Sequence, residues 1–511
     1  MEKLKQNFKI FNYRPLVLVF VGCILGVLFN VFIKKYTILV SIFALITIGI
    51  VVFYSILHKK IKYFIILGIC FLLGYGCYGL FINSHKYTTP NLINSKIEAT
   101  ITSINNRENN LELILEDVKV DDKKVEYNVI ACYYNIYELG YETLERGDIV
   151  NLIVYKQYEV AYFNENGIPY TYYTNNNIGA SISTSELEVI GHKNIIRYTL
   201  LQRIRNNLRL GLNNQNGEMI YSAMFGDKSN LTNDLYDSYK LAGVAHLLAV
   251  SGLHVGLVVS IIYWILKKLH IKNWGRVLIV ATLLFCYAYL CNFSYSILRA
   301  SIMALVLIIS SLFYSEYDLL SSISLAGTII LFMEPTALFD VGALLSFGCV
   351  IGIAMLYPII KKYLKYIPIK EWIIDAFSIS SATLISTLFI MDYYFQGVQV
   401  ISLISNILII PIFSILFTIS FIITIISLII PFASYLLFFV NPLLEYLNLF
   451  IILIARIPNI IVFPKVSYLY IILSFVLMSI LSKYNLKKGN TKLIMSSTSL
   501  LAFSVCFAMG S

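Results

Sequence analysis

No histidine follows His270, and the 511-residue chain holds six in all. That excludes a histidine-rich metal centre from its second half. Charged residues are scarce too, 13% against about 25% in a soluble domain. With 58% hydrophobic residues, this excludes a soluble globular chain and points to an integral membrane protein. The eight cysteines form no CxxC pair and no zinc-type spacing. Seven of them lie in apolar segments, where cysteine acts as a small hydrophobe. Cys132 alone falls in a polar region, so that region closes no disulfide of its own. No GxxxxGK[ST] loop occurs; Gly226-Asp227-Lys228-Ser229 lacks the first glycine at the right spacing, so no P-loop ATPase is present. Internal repeats and low-complexity tracts are absent. What exceeds expectation is positive charge, +10 net. It fits basic cytoplasmic loops, and equally a path for a polyanion.

Apolar runs over Leu16–Phe32, Thr37–Leu57 and Phe64–Phe81 predict three membrane helices. The first is too long for a signal peptide and lacks a small-x-small cleavage site. Lys3, Lys5, Lys9 and Arg14 before it, and Lys59, Lys60 and Lys62 after the second run, place both on the cytoplasmic side. From about Asn83 to Ser185 the pattern changes. KIEATITSI, LELILEDVKV, EYNVIACYY, DIVNLIVYK and ASISTSELEVI alternate with a period near two, which predicts five half-buried strands. A small OB-like barrel outside the membrane is the leading expectation, and a sandwich fits the periodicity equally. Tyr133, Tyr134, Tyr155, Tyr158, Tyr162, Tyr170, Tyr172 and Tyr173 could stack on bases, as in single-strand-binding barrels. They are also ordinary strand formers in a chain with 38 tyrosines.

Residues 193–241 read as amphipathic helices. Arg197, Arg203, Arg205 and Arg209 share the first with Ile, Leu and Tyr. Such a helix lies on lipid headgroups or meets a phosphate backbone. Ala242–Leu266, AGVAHLLAVSGLHVGLVVSIIYWIL, reads as one membrane-crossing helix. It carries His246, Ser251, Gly252 and His254 at membrane depth, where polar groups are costly and face a protein interior or a water-filled path. The histidines fit buried hydrogen bonding, pore lining or metal binding. NFSYSILRAS, Asn292–Ser301, reads as a polar kink holding Arg299, which calls for a paired acid or a polyanion. Asp340 is a candidate partner for Arg299 or for a histidine. Asn406 and Pro411 in QGVQVISLISNILIIPIFSIL predict a broken helix whose freed backbone lines a cavity. Further spans are expected over Phe432–Ile457, Tyr468–Leu481 and Leu493–Ala508, about 13 in all. The expected divisions are 1–82 N-terminal helices, 83–192 β domain, 193–241 interfacial helices, 242–430 membrane core and 431–511 C-terminal helices.

HLLAVSGLHVGL resembles the central motif of the ComEC family, polytopic proteins of natural transformation. Ser296, Arg299 and Ala300 fit that family's pattern. So do Pro335, Asp340, Gly342, Leu345, Ser346 and Phe347, and Ser405, Asn406 and Pro411. In the β region Asn164, Gly167, Tyr170 and Gly179 match the family's Asn-x-Gly…Tyr…Gly-Ile-x-Ala pattern, with Glu165 where a proline is usual. STLFIMDYY likewise lacks an expected proline. The resemblance covers roughly residues 60–430.

It implies a transmembrane channel for single-stranded DNA in the cytoplasmic membrane, with the N-terminus cytoplasmic and the β domain outside. His246, Ser251, Gly252, His254, Arg299, Asp340, Ser346 and Asn406 are the implied path residues. Implied partners are single-stranded DNA, membrane lipids, a DNA receptor, a separate nuclease and a cytoplasmic ATP-driven translocase, with homo-oligomers left open. Many family members carry a β-lactamase-like domain with a histidine-rich metal motif. The absence of histidine after His270 leads us to expect a form without it. No cofactor, metal or enzymatic activity is expected. The competing readings are an intramembrane serine hydrolase, built on Ser251 with His254 or His246, and a lipid or small-solute transporter. The hydrolase lacks an obvious oxyanion loop, and the transporter would predict an inverted repeat.

Overall fold

The computed structural model describes residues 14–33, 61–84, 91–106, 110–121, 123–134, 144–160, 162–163, 168–193, 195–457, 460–461 and 468–482. The spans expected over 37–57 and 493–508 lie outside these residues. Two apolar helices open the chain, α1 (Pro15–Ile33) and α2 (Ile61–Ser84). They cross closely because glycines face the contact. A Cβ at Gly26 would lie 2.1 Å from the Phe71 carbonyl oxygen, and one at Gly74 would lie 2.4 Å from that of Cys23. Such approach of backbones is how membrane helices gain packing without a hydrophobic driving force.

The β domain contains β1 (Lys96–Asn106), β2 (Leu111–Val120), β3 (Lys123–Lys124), β4 (Asn128–Tyr133), β5 (Asp148–Ile153), β6 (Lys156–Tyr158), a short α3 (Thr171–Asn175), β7 (Ile178–Thr184) and β8 (Leu187–His192). Alternation made these strands legible: Ile97, Ala99 and Ile101, Leu111, Leu113 and Leu115, and Val129, Ala131 and Tyr133 all point into one core. The expected five strands are eight. DIVNLIVYK divides into β5 and β6, and ASISTSELEVI divides at Ser185-Glu186 into β7 and β8. There the Thr184 hydroxyl donates to the Glu186 carbonyl at 2.7 Å and turns the chain. The strand order is β6-β7-β4-β2-β1-β5-β8, with β3 beside β2. The β4–β7 pair is parallel and every other pair antiparallel. Because β7 pairs with β4 and its continuation β8 pairs with β5, the pairings run in a ring. Two register shifts in β1, at Glu98/Thr100 and Ile101/Ser103, bend it as bulges do.

The helical body follows: α4 (Ile196–Gly211), α5 (Asn214–Phe225), α6 (Asn233–Leu241), a 3₁₀ turn (Ala245–Leu248), α7 (Gly252–Lys268), α8 (Asn273–Leu290), α9 (Tyr295–Leu312), α10 (Leu319–Met333), a 3₁₀ turn (Pro335–Phe339), α11 (Val341–Met355), α12 (Tyr357–Leu364) and α13 (Glu371–Phe395). After β9 (Val398–Gln399) come α14 (Ser402–Ser427), a 3₁₀ helix (Pro431–Phe439), α15 (Asn441–Ala455), β10 (Ile460–Ile461) and α16 (Tyr468–Leu481). Among the described residues five helices are long and apolar enough to cross a membrane, seven if each bent pair is one span. The molecule is a polytopic helical membrane protein with a small β domain.

Three expectations about these helices are corrected. The stretch read as one span over Ala242–Leu266 is broken; Gly243, at φ +74°, ends α6, and α7 begins only at Gly252. The expected break at Asn406 and Pro411 is absent, since α14 runs through both. Pro411 removes a single N–H bond, and membrane helices tolerate that loss when neighbours pack around it. The span over Phe432–Ile457 is instead two helices bent by 48°. Asn441-Pro442 restarts the chain there, and proline suits a first turn, where its missing N–H has no partner to lose.

A buried amide network ties α5 and α6 to α15. Tyr239 donates to Asn448 at 2.7 Å, Asn448 to Asn216 at 2.8 Å, and Asn216 to Asn441 at 2.9 Å. We expect Asn448→Leu to strand the buried Asn216 Oδ1 and to leave Tyr239 Oη only the Met219 sulfur at 2.8 Å. A stranded group costs about 1–3 kcal/mol, read as a lower melting temperature in lipid nanodiscs.

Candidate functional site

Ser251 sits where the chain leaves an extended segment and enters α7. Its hydroxyl accepts from the His254 N–H, and the Ser251 N–H donates to His254 Nδ1, both at 3.4 Å. The pair is a reciprocal helix cap. The sequence therefore hides a helix start inside an apolar run. His254 is fully buried, its ring stacked on Phe417 at 4.3 Å and near Phe413 at 6.0 Å, both on α14. Its Nε2 makes no ordinary hydrogen bond and lies near the Ala223 main chain. The 3₁₀ turn ahead of that extended segment is held by the Ser222 hydroxyl, which donates to the Leu248 carbonyl at 2.7 Å. Since Nδ1 accepts from a main-chain N–H, the imidazole does not stand as base over the Ser251 hydroxyl.

Gly252 is the next position, and any side chain there would push on the Arg299 guanidinium. A Cβ there would lie 2.9 Å from Arg299 Nη2. Arg299 lies in the second turn of α9 and not in a kink as expected. Asn292 and Phe293, both at positive φ, form a turn between two separate helices. Arg299 is 5% exposed. It donates through Nη1 to the Ser346 carbonyl on α11, and its guanidinium carbon is 6.0 Å from the centre of the Phe347 ring. No carboxylate among the described residues pairs with it, and its Nε has no hydrogen-bond partner. Asp340 is not its counter-ion. That carboxylate caps α11, accepting from the Ala343 N–H at 2.8 Å.

Three separate motif segments thus meet: Ser251-Gly252, Arg299 and Ser346-Phe347. His246, in the 3₁₀ turn, has an exposed side chain. Cys349, three residues after Ser346 on α11, is half-buried. Asn406 stands on α14 with its Oδ1 buried and without a partner. Among the described residues no group of three or more His, Cys, Asp or Glu side chains could hold a metal ion.

In the β domain, Asn164 and Gly167 lie outside the described residues. Tyr170 precedes α3, 46% exposed, with its N–H donating to the Tyr162 carbonyl. Gly179 opens β7 under the ring of Tyr127, where a Cβ would lie 2.2 Å from Tyr127 Cγ. Of the eight tyrosines considered for stacking, Tyr133 is in the core and Tyr162 donates to the Ile178 carbonyl, whereas Tyr134, Tyr155, Tyr158, Tyr170 and Tyr172 are exposed.

The arginines of α4 are turned to internal use. Arg197 donates to Asn292, Arg203 to the Leu428 carbonyl at the end of α14, and Arg209 to Glu218. Arg205 bridges Glu218 and Asp227, and Arg146 of the β domain reaches Asp227 at 2.7 Å. Burial works to raise the Asp227 pKa, but Arg146, Arg205 and Ser229 outweigh it and hold the carboxyl below its ordinary value. A depressed folded pKa stabilises the fold above the unfolded value of about 4 and ceases to do so as pH falls through the lower folded value. We therefore expect the wild-type melting temperature to drop more steeply below about pH 4 than that of Asp227→Asn, measured by differential scanning fluorimetry.

Comparison with known proteins places the chain among relatives. ComE operon protein 3 of Bacillus subtilis is 26% identical over 196 residues, 38% of this chain and 24% of its own length. Recombination protein 2 of Haemophilus influenzae is 24% identical over 211 residues, 39% of this chain and 27% of its own. An uncharacterized protein of Aquifex aeolicus is 29% identical over 177 residues, 33% of this chain and 40% of its own. The chain thus matches well under half the length of these curated relatives. No solved structure matches it. The family described as competence protein matches residues 223–488, just over half of the chain and the whole of the Ser251–Arg299–Ser346 cluster, and the chain belongs to that family.

Proposed function

We propose that the chain is the conduit by which a single DNA strand crosses the cytoplasmic membrane during natural transformation. The observation that carries this is Arg299. A guanidinium buried among membrane helices, with no acid to neutralise it, costs about 2.5–3.5 kcal/mol on insertion scales. A fold that keeps it has a use for an anion. A strand carries one such charge per nucleotide, and the exposed side chain of His246, in the turn before Ser251, supports a water-accessible approach. The tightly packed His254 then belongs to a closed gate, with α7 and α14 the parts that move.

In this reading the β domain is an OB-like barrel on the outer face, supported by the ring of pairings and the parallel β4–β7 pair. The N-terminus is cytoplasmic, and about 13 spans cross in all. The chain is not an enzyme, and it works without a cofactor. The sequence holds no nucleotide-binding loop, so the pulling force falls to a cytoplasmic ATP-driven translocase. A receptor and a nuclease deliver the single strand, and the surrounding lipids complete the wall. The test is import of labelled DNA by competent cells with the gene intact, deleted or restored. Label that remains outside the membrane only in the deleted cells supports a conduit, and equal entry in all three rejects it.

A further inference from the structure

The seam between the β domain and the helices holds one alternating chain of charges. Arg146 reaches Asp227 at 2.7 Å, and Arg205 reaches it at 3.3 Å. Arg205 also reaches Glu218 at 3.2 Å, and Arg209 reaches it at 2.7 Å. Three cations face two anions, and Lys228 adds another positive charge next to Asp227. The arginines keep side-chain exposures of 22%, 18% and 41%, so the seam is open to solvent at its edge. The Arg205 guanidinium carbon lies over Tyr221, 4.1 Å from the ring centre.

Each carboxylate sits between two guanidiniums. That is also how arginines hold a phosphodiester, because the planar fork matches the oxygens of either anion. The two acids differ in their freedom. Glu218 is on α5 and 4% exposed, so the packed helix fixes it. Asp227 is on the loop after Gly226, whose φ of +79° ends α5, and its main-chain anchor is the Ser229 N–H at 3.1 Å. A loop carboxylate can swing out where a helix carboxylate cannot.

We propose that this seam is a phosphodiester-binding site whose resting occupants are the chain's own carboxylates. An incoming DNA backbone displaces Asp227 from Arg146 and Arg205. The Arg146 contact is one of the links holding the β domain on the helices, with Gln202 to Glu145 at 2.7 Å and Thr336 to Asn175 at 3.4 Å as others. Strand binding therefore loosens this corner of the docked domain. The proposal rests on the conduit reading and adds to it the place where the strand is first held by its phosphates.

The test uses the full chain in lipid nanodiscs and a short fluorescein-labelled oligothymidylate, followed by anisotropy across a salt series. If the acid is a stand-in, removing it frees two arginines, so Asp227→Asn binds about tenfold tighter, a gain of about 1.4 kcal/mol. Arg146→Gln binds about tenfold weaker, and the slope of log affinity on log salt falls by about one. An oligomer with abasic sugars shifts in the same way, because the bases are not read. Asp227→Asn binding no better than wild type, while still folded at the assay temperature, overturns the proposal. Should that variant unfold, hydrogen exchange of residues 144–148 in the wild type decides. Faster exchange on adding the oligomer supports the site, and unchanged exchange overturns it. If no form binds the oligomer although labelled DNA enters cells, this site fails and the conduit stands. If binding shifts as expected while Arg299→Gln imports DNA normally, the conduit reading fails and the anion site stands.

Discussion

Arg299→Gln is expected to lower DNA entry roughly 100-fold while the protein still inserts and folds. Loss of a desolvated charged contact costs about 3 kcal/mol, and every 1.4 kcal/mol or so is a factor of ten. Folding is spared, because the guanidinium has no acid partner to leave behind. Glutamine keeps a donor for the Ser346 carbonyl, so the local packing of α9 on α11 survives. The measurement is labelled DNA recovered from the cytoplasm, normalised to the amount of inserted protein. Arg299→Lys separates charge from shape. It keeps the charge but cannot lie over Phe347 in the same plane, and intermediate entry is expected.

Gly179→Leu is expected to unfold or undock the β domain. A Cβ at this position overlaps the Tyr127 ring, and three more carbons follow it into the same core. Overpacking of this kind costs about 1–3 kcal/mol, a large share of what a small domain has to spare. Rapid trypsin cleavage between Lys96 and Lys193, with the membrane helices left intact, is the readout. Adding Tyr127→Ala to Gly179→Leu vacates the space, so the double variant should resist trypsin better than Gly179→Leu alone. Failure of that rescue would show that Gly179 serves something other than the Tyr127 contact.

The elements read best from sequence were those whose signal is local. Strand alternation such as Leu111-Leu113-Leu115 placed the β domain, and the apolar runs placed α2, α8 and α14. The hidden events were those decided by a distant partner. Ser251 looked like a polar residue inside a helix, since the cap depends on where the chain bends and not on composition. Arg299 was visible as costly, but its contact is a main-chain carbonyl, and such an acceptor has no signature in the sequence. Asp340 was a candidate partner for it or for a histidine; a helix N-terminus used the carboxylate instead. Phe413 and Phe417 gave no sign of facing His254, because aromatic residues four apart are ordinary in an apolar helix. The Arg146–Asp227 contact joins residues 81 positions apart and could not be read from either segment alone.

The central claim is that a DNA strand passes the Ser251–Arg299–Ser346 cluster. A photo-crosslinking residue placed at His246, in cells importing labelled DNA, tests it most directly, with the exposed Leu278 on α8 as the reference position. The account predicts crosslinks from position 246 that appear only while DNA is entering, and none from position 278. Import at the normal rate without crosslinks from 246, or with equal crosslinks from both positions, would contradict it.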